Sequence, residues 1–211
     1  MGLFSFLTGK NKGDADKPAT PPARKAIAKS AARFAYTAMA IETASKSPKS
    51  ICRIAFVSFD EDGNEKAHDS IYVKPAGKTF SFSDTNGITA ADVADAPSFS
   101  EAWPRISPYI TDSTIAVHYS QFAIKCLSAC LSDAGIASVP CDIIDTHQLG
   151  KSMFPRLGDY TLDSVSDRVE GHIAKNTDTL SKALAIADIV GYAAIDHPRK
   201  IKSCTSKINL G

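Results

Sequence analysis

The chain has 211 residues, 44% of them hydrophobic and 22% charged, with a formal net charge of +1. That make-up fits one globular domain with tails, large enough to build a core without disulfides or structural metal. No apolar run reaches the roughly 18 residues that span a bilayer. The opening MGLFSFLTGK lacks both the basic start of a secretory signal and the Ser or Thr that a myristoylation signal asks for at position six, which is Phe6, so neither signal is expected, and no membrane is expected as a partner of the domain.

The charge is unevenly spread. Residues 1–33 carry seven Lys/Arg against two Asp, residues 197–211 carry four Lys/Arg and no acid, and residues 34–196 hold 13 basic and 21 acidic side chains, a net −8. A body of that sign repels phosphate backbones as a whole, so nucleic-acid binding would draw on the tails or on a local patch. The basic ends equally well serve only to keep themselves solvated. Five cysteines with no paired CxxC spacing are too few and too scattered for a zinc site. Cys126 and Cys130, four apart in a helical pattern and near Cys141, read as buried reduced thiols of a cytoplasmic protein.

Residues 1–33 are rich in Pro, Ala, Lys and Gly and read as a flexible basic linker, with a short helix from about Ala23. Leu3, Phe4, Phe6 and Leu7 form a small apolar group that suits a docking peptide, a weak membrane contact or a disordered end. From Phe34 the pattern turns to strands: FAYTAMAI, then ICRIAFVSFD, the turn EDGNE, and HDSIYVKP, with the Asp62-Gly63 pair as a hairpin signal. Thr89 to Pro97 reads as a capped helical segment. A second helical segment opens at Ser98 with Glu101 three residues on, a capping box, and Pro104 falls near its first turn. STIAVHY is a short buried strand; Ser120 to Ala134 is helical, with Phe122, Cys126, Leu127, Cys130 and Leu131 on one stripe, and Gly135 ends it. CDIIDT is a fifth strand, a helix follows from Thr161, and a last long helix starts near Asp178, which caps it. The order predicts an α/β domain over 34–196: a mixed five-stranded sheet, three antiparallel strands and then parallel ones, with helices on both faces. Residues 197–211 are left as a basic C-terminal tail.

Several segments, in order, resemble the motifs of the three-motif (DEDDh-type) 3′–5′ exonucleases of ribonuclease H-like fold, the group of the DNA polymerase III epsilon subunit. The first motif, of Asp-Phe-Glu-Thr type, matches Ala40-Ile41-Glu42-Thr43; a His-Gly-Ile-Thr segment matches Asn86-Gly87-Ile88-Thr89. The second motif, His-Asn-x-x-Phe-Asp, matches His118-Tyr119-Ser120-Gln121-Phe122-Ala123, and Asp145-Thr146 and Tyr160-Thr161-Leu162-Asp163 follow in place. The third, His-x-Ala-Leu-x-Asp-Ala, matches Thr177 to Ala183.

In that family four carboxylates hold two divalent metals and a His acts as general base on the attacking water. By the resemblance those five positions are Ala40, Glu42, Ala123, Thr177 and Lys182, so one of the five is retained. One carboxylate cannot hold two hydrated magnesium ions about 4 Å apart. The resemblance therefore implies a domain that has lost its catalytic set, a pseudoenzyme with no cofactor. Lys182 is expected to reach the exit of the first strand and pair with Glu42. The cleft residues Glu42, Thr43, His118, Tyr119, Phe122 and Lys182 would offer polar and stacking contacts, and His118 is expected to be a hydrogen-bonded structural histidine. The partner implied is single-stranded nucleic acid or a replication or repair protein. The alternative is an active exonuclease using Mg²⁺ or Mn²⁺ on relocated ligands, drawn from Asp145, Asp163 and Asp178, with Asp145 and His147 as the candidate metal pair.

Overall fold

In a computed structural model the chain is described over residues 30–171 and 178–211. Most of the linker, the Leu3–Leu7 group and Thr177 lie outside the described residues. The first three strands, β1 (Tyr36–Thr43), β2 (Ile51–Phe59) and β3 (Glu65–Tyr72), form an antiparallel meander. Gly63, at φ +77°, makes the β2–β3 turn possible, and a side chain there would strike the Ser30 carbonyl. Ser30 N–H donates to the Gly63 carbonyl at 2.7 Å and Ala32 is fully buried, so residues just before Phe34, expected to belong to the linker, pack against the β2–β3 turn.

After β3 the chain makes a single turn, α1 (Ser83–Asn86), and then a run of turns rather than the expected helix over Thr89–Pro97. The Asp92 carboxylate accepts from both the N–H and the hydroxyl of Thr89, closing a local loop in place of a helical start. The Ser98/Glu101 capping box does open α2 (Phe99–Ile106), but Pro104 is its sixth residue rather than part of its first turn. There it leaves the Ser100 carbonyl without an intrahelical donor. β4 (Thr114–Val117) pairs parallel with β1, α3 (Ser120–Asp133) follows, and Gly135 at φ +65° terminates it. β5 (Val139–Asp145) runs directly into α4 (Thr146–Met153), a helix not among the elements expected from the sequence. α5 (Leu162–Arg168) and α6 (Thr179–Asp196) come next, capped by Thr161 and Asp178.

The segment 197–211 is not a tail. It forms α7 (Pro198–Ser203) and β6 (Thr205–Leu210), and β6 pairs antiparallel with β5 from Ile144↔Thr205 to Val139↔Leu210. Its apolar residues are few but alternate correctly, Leu210 being fully buried and Ile208 packing on the same core. The sheet thus has six strands in the order β3-β2-β1-β4-β5-β6. Among the described residues no helix is long and apolar enough to cross a membrane.

Side-chain alternation along β1 separates two cores. Met39 and Ile41 face one with α2 and α3, whereas Tyr36, Ala38 and Ala40 face the other with α4, α5 and α6. Period two then places Glu42 on the α6 side. The cysteines fit as free thiols: Cys126, Cys130 and Cys141 share the first core and Cys52 a smaller third one, while Cys204 is half-buried. Burial pushes Cys126, Cys130 and Cys141 up to about 11.

Candidate nucleic-acid cleft

The chain leaves β1 toward β2 on one side and returns as β4 on the other. The ends of β1 and β4 therefore form a switch point, where α/β sheets open a crevice. A cleft of about 290 Å³ lies there, lined by Ala40, Ile41 and Glu42 of β1, His118, Tyr119, Phe122 and Ala123 around the start of α3, Asp163 of α5, and Lys182 and Ile186 of α6.

On its floor Lys182 Nζ donates to Glu42 Oε1 at 2.5 Å, the pair expected from the sequence. The Glu42 side chain is only 12% exposed, so its carboxylate needs a cation beside it. One helical turn earlier, Asp178 faces Arg53, with 3.6 Å between Arg53 Nη2 and Asp178 Oδ1. Arg53 also donates from Nε to Ser70 Oγ and lies 4.7 Å above the Tyr72 ring. Sequence reasoning missed Arg53. Its position opposite Glu42 is a consequence of the β1–β2 register, which no local pattern reveals.

Two other side chains hold the walls. Asp145 accepts four hydrogen bonds: the His147 and Gln148 N–H groups on Oδ1, at 2.9 and 3.2 Å, and the Ser120 N–H and hydroxyl on Oδ2, at 3.1 and 2.7 Å. One carboxylate thus caps the N-termini of both α3 and α4. Asn86, at the position of the family's His-Gly-Ile-Thr histidine, is buried; its Nδ2 donates to the Thr43 carbonyl at 3.0 Å and its Oδ1 accepts from Ile88 N–H at 2.9 Å. Thr43 is accordingly buried under this loop and does not line the cleft.

His118 donates from Nε2 to the Tyr160 carbonyl at 2.9 Å, and its Nδ1 lies 3.0 Å from the Thr146 hydroxyl. Burial pulls its pKa down to about 4, outweighing the Tyr160 carbonyl, so the ring is neutral at physiological pH. His147 is held low first by burial and then by Lys151, and its ring packs tilted against Tyr119 at 4.3 Å between centroids. Phe122, expected both on the apolar stripe of α3 and in the cleft, is 43% exposed and lines the cleft. The helix buries Ala123, Cys126, Leu127, Cys130 and Leu131 instead. Burial, followed by the negative charge of Glu42, pushes the Cys52 thiol up to about 12.

The description Exonuclease belongs to the family model that matches residues 39–176. The chain belongs to that exonuclease family and has its ribonuclease H-like fold. The PolC-type DNA polymerase III of Bacillus cereus is 21% identical over 109 residues, covering 52% of this chain and 7% of that relative. The chain therefore spans less than a tenth of that protein's length. Among solved structures, exonuclease X in complex with 5′-overhanging duplex DNA superposes with a TM-score of 0.61 at 17% identity, over 80% of this chain and 98% of that one. E. coli exonuclease I in complex with an oligonucleotide gives 0.66 at 13%, over 81% and 43%. A 3′-exonuclease described in 3′-end-specific recognition of a histone mRNA stem-loop gives 0.64 at 15%, over 79% and 84%. At these identities the structures speak for the fold.

The two-metal centre that the family implies does not fit the residues present. Ala40 and Ala123 are buried methyl groups with nothing to donate, and Lys182 brings an ammonium to the one acid that remains. Among the described residues no group of three or more His, Cys, Asp or Glu side chains is placed to hold a metal ion. Of the acids considered for a relocated site, Asp145 caps two helices, Asp178 caps α6 through the Leu180 and Ser181 N–H groups, and only Asp163 lines the cleft.

Proposed function

We propose that this chain is a non-hydrolysing member of its family, a module that holds single-stranded nucleic acid in the cleft without a metal ion. The observation that carries this reading is the Lys182 ammonium seated on Glu42, which supplies one fixed charge where the family's chemistry needs divalent cations. Hydrolysis would need a polarised phosphodiester and an activated water. His118, neutral and hydrogen-bonded through Nε2 to a backbone carbonyl, is not poised to activate one. Nucleic acid is favoured as the occupant because the cleft keeps exposed aromatic side chains, and because structural neighbours were captured with DNA.

The test pairs two measurements on the full chain. A 5′-labelled single-stranded oligonucleotide, as DNA and as RNA, is incubated with Mg²⁺ or Mn²⁺ alongside a Glu42→Ala variant, and binding is followed by anisotropy in EDTA. The reading predicts binding in EDTA and no Glu42-dependent product. Shortened products that vanish in Glu42→Ala would overturn it.

A further inference from the structure

The helix that brings Lys182 to the cleft ends about 20 Å away, at Asp196, since each helical residue rises about 1.5 Å. There a second groove, of about 380 Å³, opens between the start of β1 and α7. Apolar side chains line it: Phe34 before β1, Ile144 of β5, Ala194 of α6 and Ile201 of α7. Arg33 and Lys202, both exposed, stand on its rim, and no acidic side chain lines it. The Arg33 guanidinium donates to the Asp62 carbonyl at 2.8 Å, and among the described residues neither Arg33 nor Lys202 forms an ion pair with a carboxylate. The groove therefore suits an aliphatic side chain with an acid beside it.

This chain presents that combination next to the groove. Ile195 follows the lining residue Ala194 and is 68% exposed, the most exposed large hydrophobic side chain among the described residues. Asp196 is exposed beside it. Its carboxylate sits at the carbonyl end of α6, where negative charge is disfavoured and where the last turn carries no basic side chain. Among the described residues it forms no ion pair, so a cation from outside would relieve it. A face that carries both a groove and the segment that fills it complements a rotated copy of itself. We propose that this face is the interface of a two-fold homodimer, in which Ile195 of each protomer enters the groove of its partner and Asp196 meets Arg33 and Lys202 across the rim. The same two features are exchanged in both directions, so the contact closes at two copies and leaves both clefts open at the other end of α6. The inference is independent of what the cleft binds.

The test is sedimentation of the full chain in the analytical ultracentrifuge. Wild type should show a reversible monomer–dimer equilibrium. Ile195→Asp should raise the dimer dissociation constant at least about thirtyfold, as when a charge replaces a buried apolar anchor. Asp196→Lys should raise it at least about tenfold, and adding Lys202→Glu to that variant should lower it again at least about fivefold, because the reversed charges meet across the interface. These substitutions are at exposed positions, so each variant should melt as wild type does. A wild type that stays monomeric at about 0.5 mM, a dimer indifferent to Ile195→Asp, or absence of rescue by Lys202→Glu would each overturn the proposal. A benzophenone amino acid placed at position 195 then identifies the occupant of the groove. Photo-crosslinking should give a band at the dimer mass, joined to the peptides that carry Phe34 or Ile201. Cross-links within one chain to residues 1–29 would assign the groove to that segment and overturn the dimer.

Discussion

Glu42 stands directly opposite Arg53 in the β1–β2 ladder, and each holds an ion pair to the same turn of α6. The two partners, Lys182 and Asp178, lie four residues apart, so the helix start is clamped over the strand ends by a pair of crossed charges. Removing one member of the inner pair leaves a mostly buried charge without a partner. Lys182→Met is expected to cost about 2 kcal/mol in urea unfolding. The double variant Glu42→Leu with Lys182→Met should return to within about 1 kcal/mol of wild type, since both charges are then gone. Additive losses in the double variant would show that the two side chains do not depend on each other.

Asp145 is the stronger structural device. Its four accepted hydrogen bonds join the starts of α3 and α4, and a single substitution should loosen both. Asp145→Ala is expected to lower stability by about 2–3 kcal/mol. It should also raise amide exchange at Ser120, His147 and Gln148 together. Faster exchange confined to α4 would separate the two caps.

His118 makes stability depend on pH. Its folded pKa lies at about 4, below the ordinary value near 6.5, so between those limits the unfolded chain binds the extra proton. The contribution is fully present above about pH 6.5 and is lost as pH falls toward 4, amounting to about 3 kcal/mol across that window. His118→Gln lacks the titration, so its stability profile should be flatter over the same range. Parallel profiles for the two proteins would show that the ring is not held neutral by burial.

Leu210 tests the last strand. It is fully buried at the end of β6, and Leu210→Ala should cost about 2–4 kcal/mol. A change within about 0.5 kcal/mol would mean that β6 contributes little to the domain.

Much of the sheet was legible because its signals are local. Alternation in FAYTAMAI and ICRIAFVSF, the Asp62-Gly63 turn and the Ser98/Glu101 capping box each name an element on their own. What stayed hidden depended on partners distant in sequence. α4 starts without any turn residues, because Asp145 serves as both the last residue of β5 and the cap of the helix. β6 carries only Ile208 and Leu210 as inward apolar residues within a basic segment, and its pairing with β5 makes it a strand. Thr89 with Asp92 imitates a helical start but closes a turn. At the site, the Glu42–Lys182 pair was legible because the resemblance to the family's motifs implies that both lie at one cleft, whereas the position of Arg53 and the hydrogen bonds of Asn86 enter only through strand register and loop closure.

The central claim is that an ammonium–carboxylate pair stands in place of the metal centre. The most direct measurement is a Mn²⁺ titration followed by electron paramagnetic resonance, with wild type and Glu42→Ala side by side. The account predicts that the two proteins leave the same free Mn²⁺ signal at every concentration. A site of micromolar affinity in wild type that disappears in Glu42→Ala would contradict it.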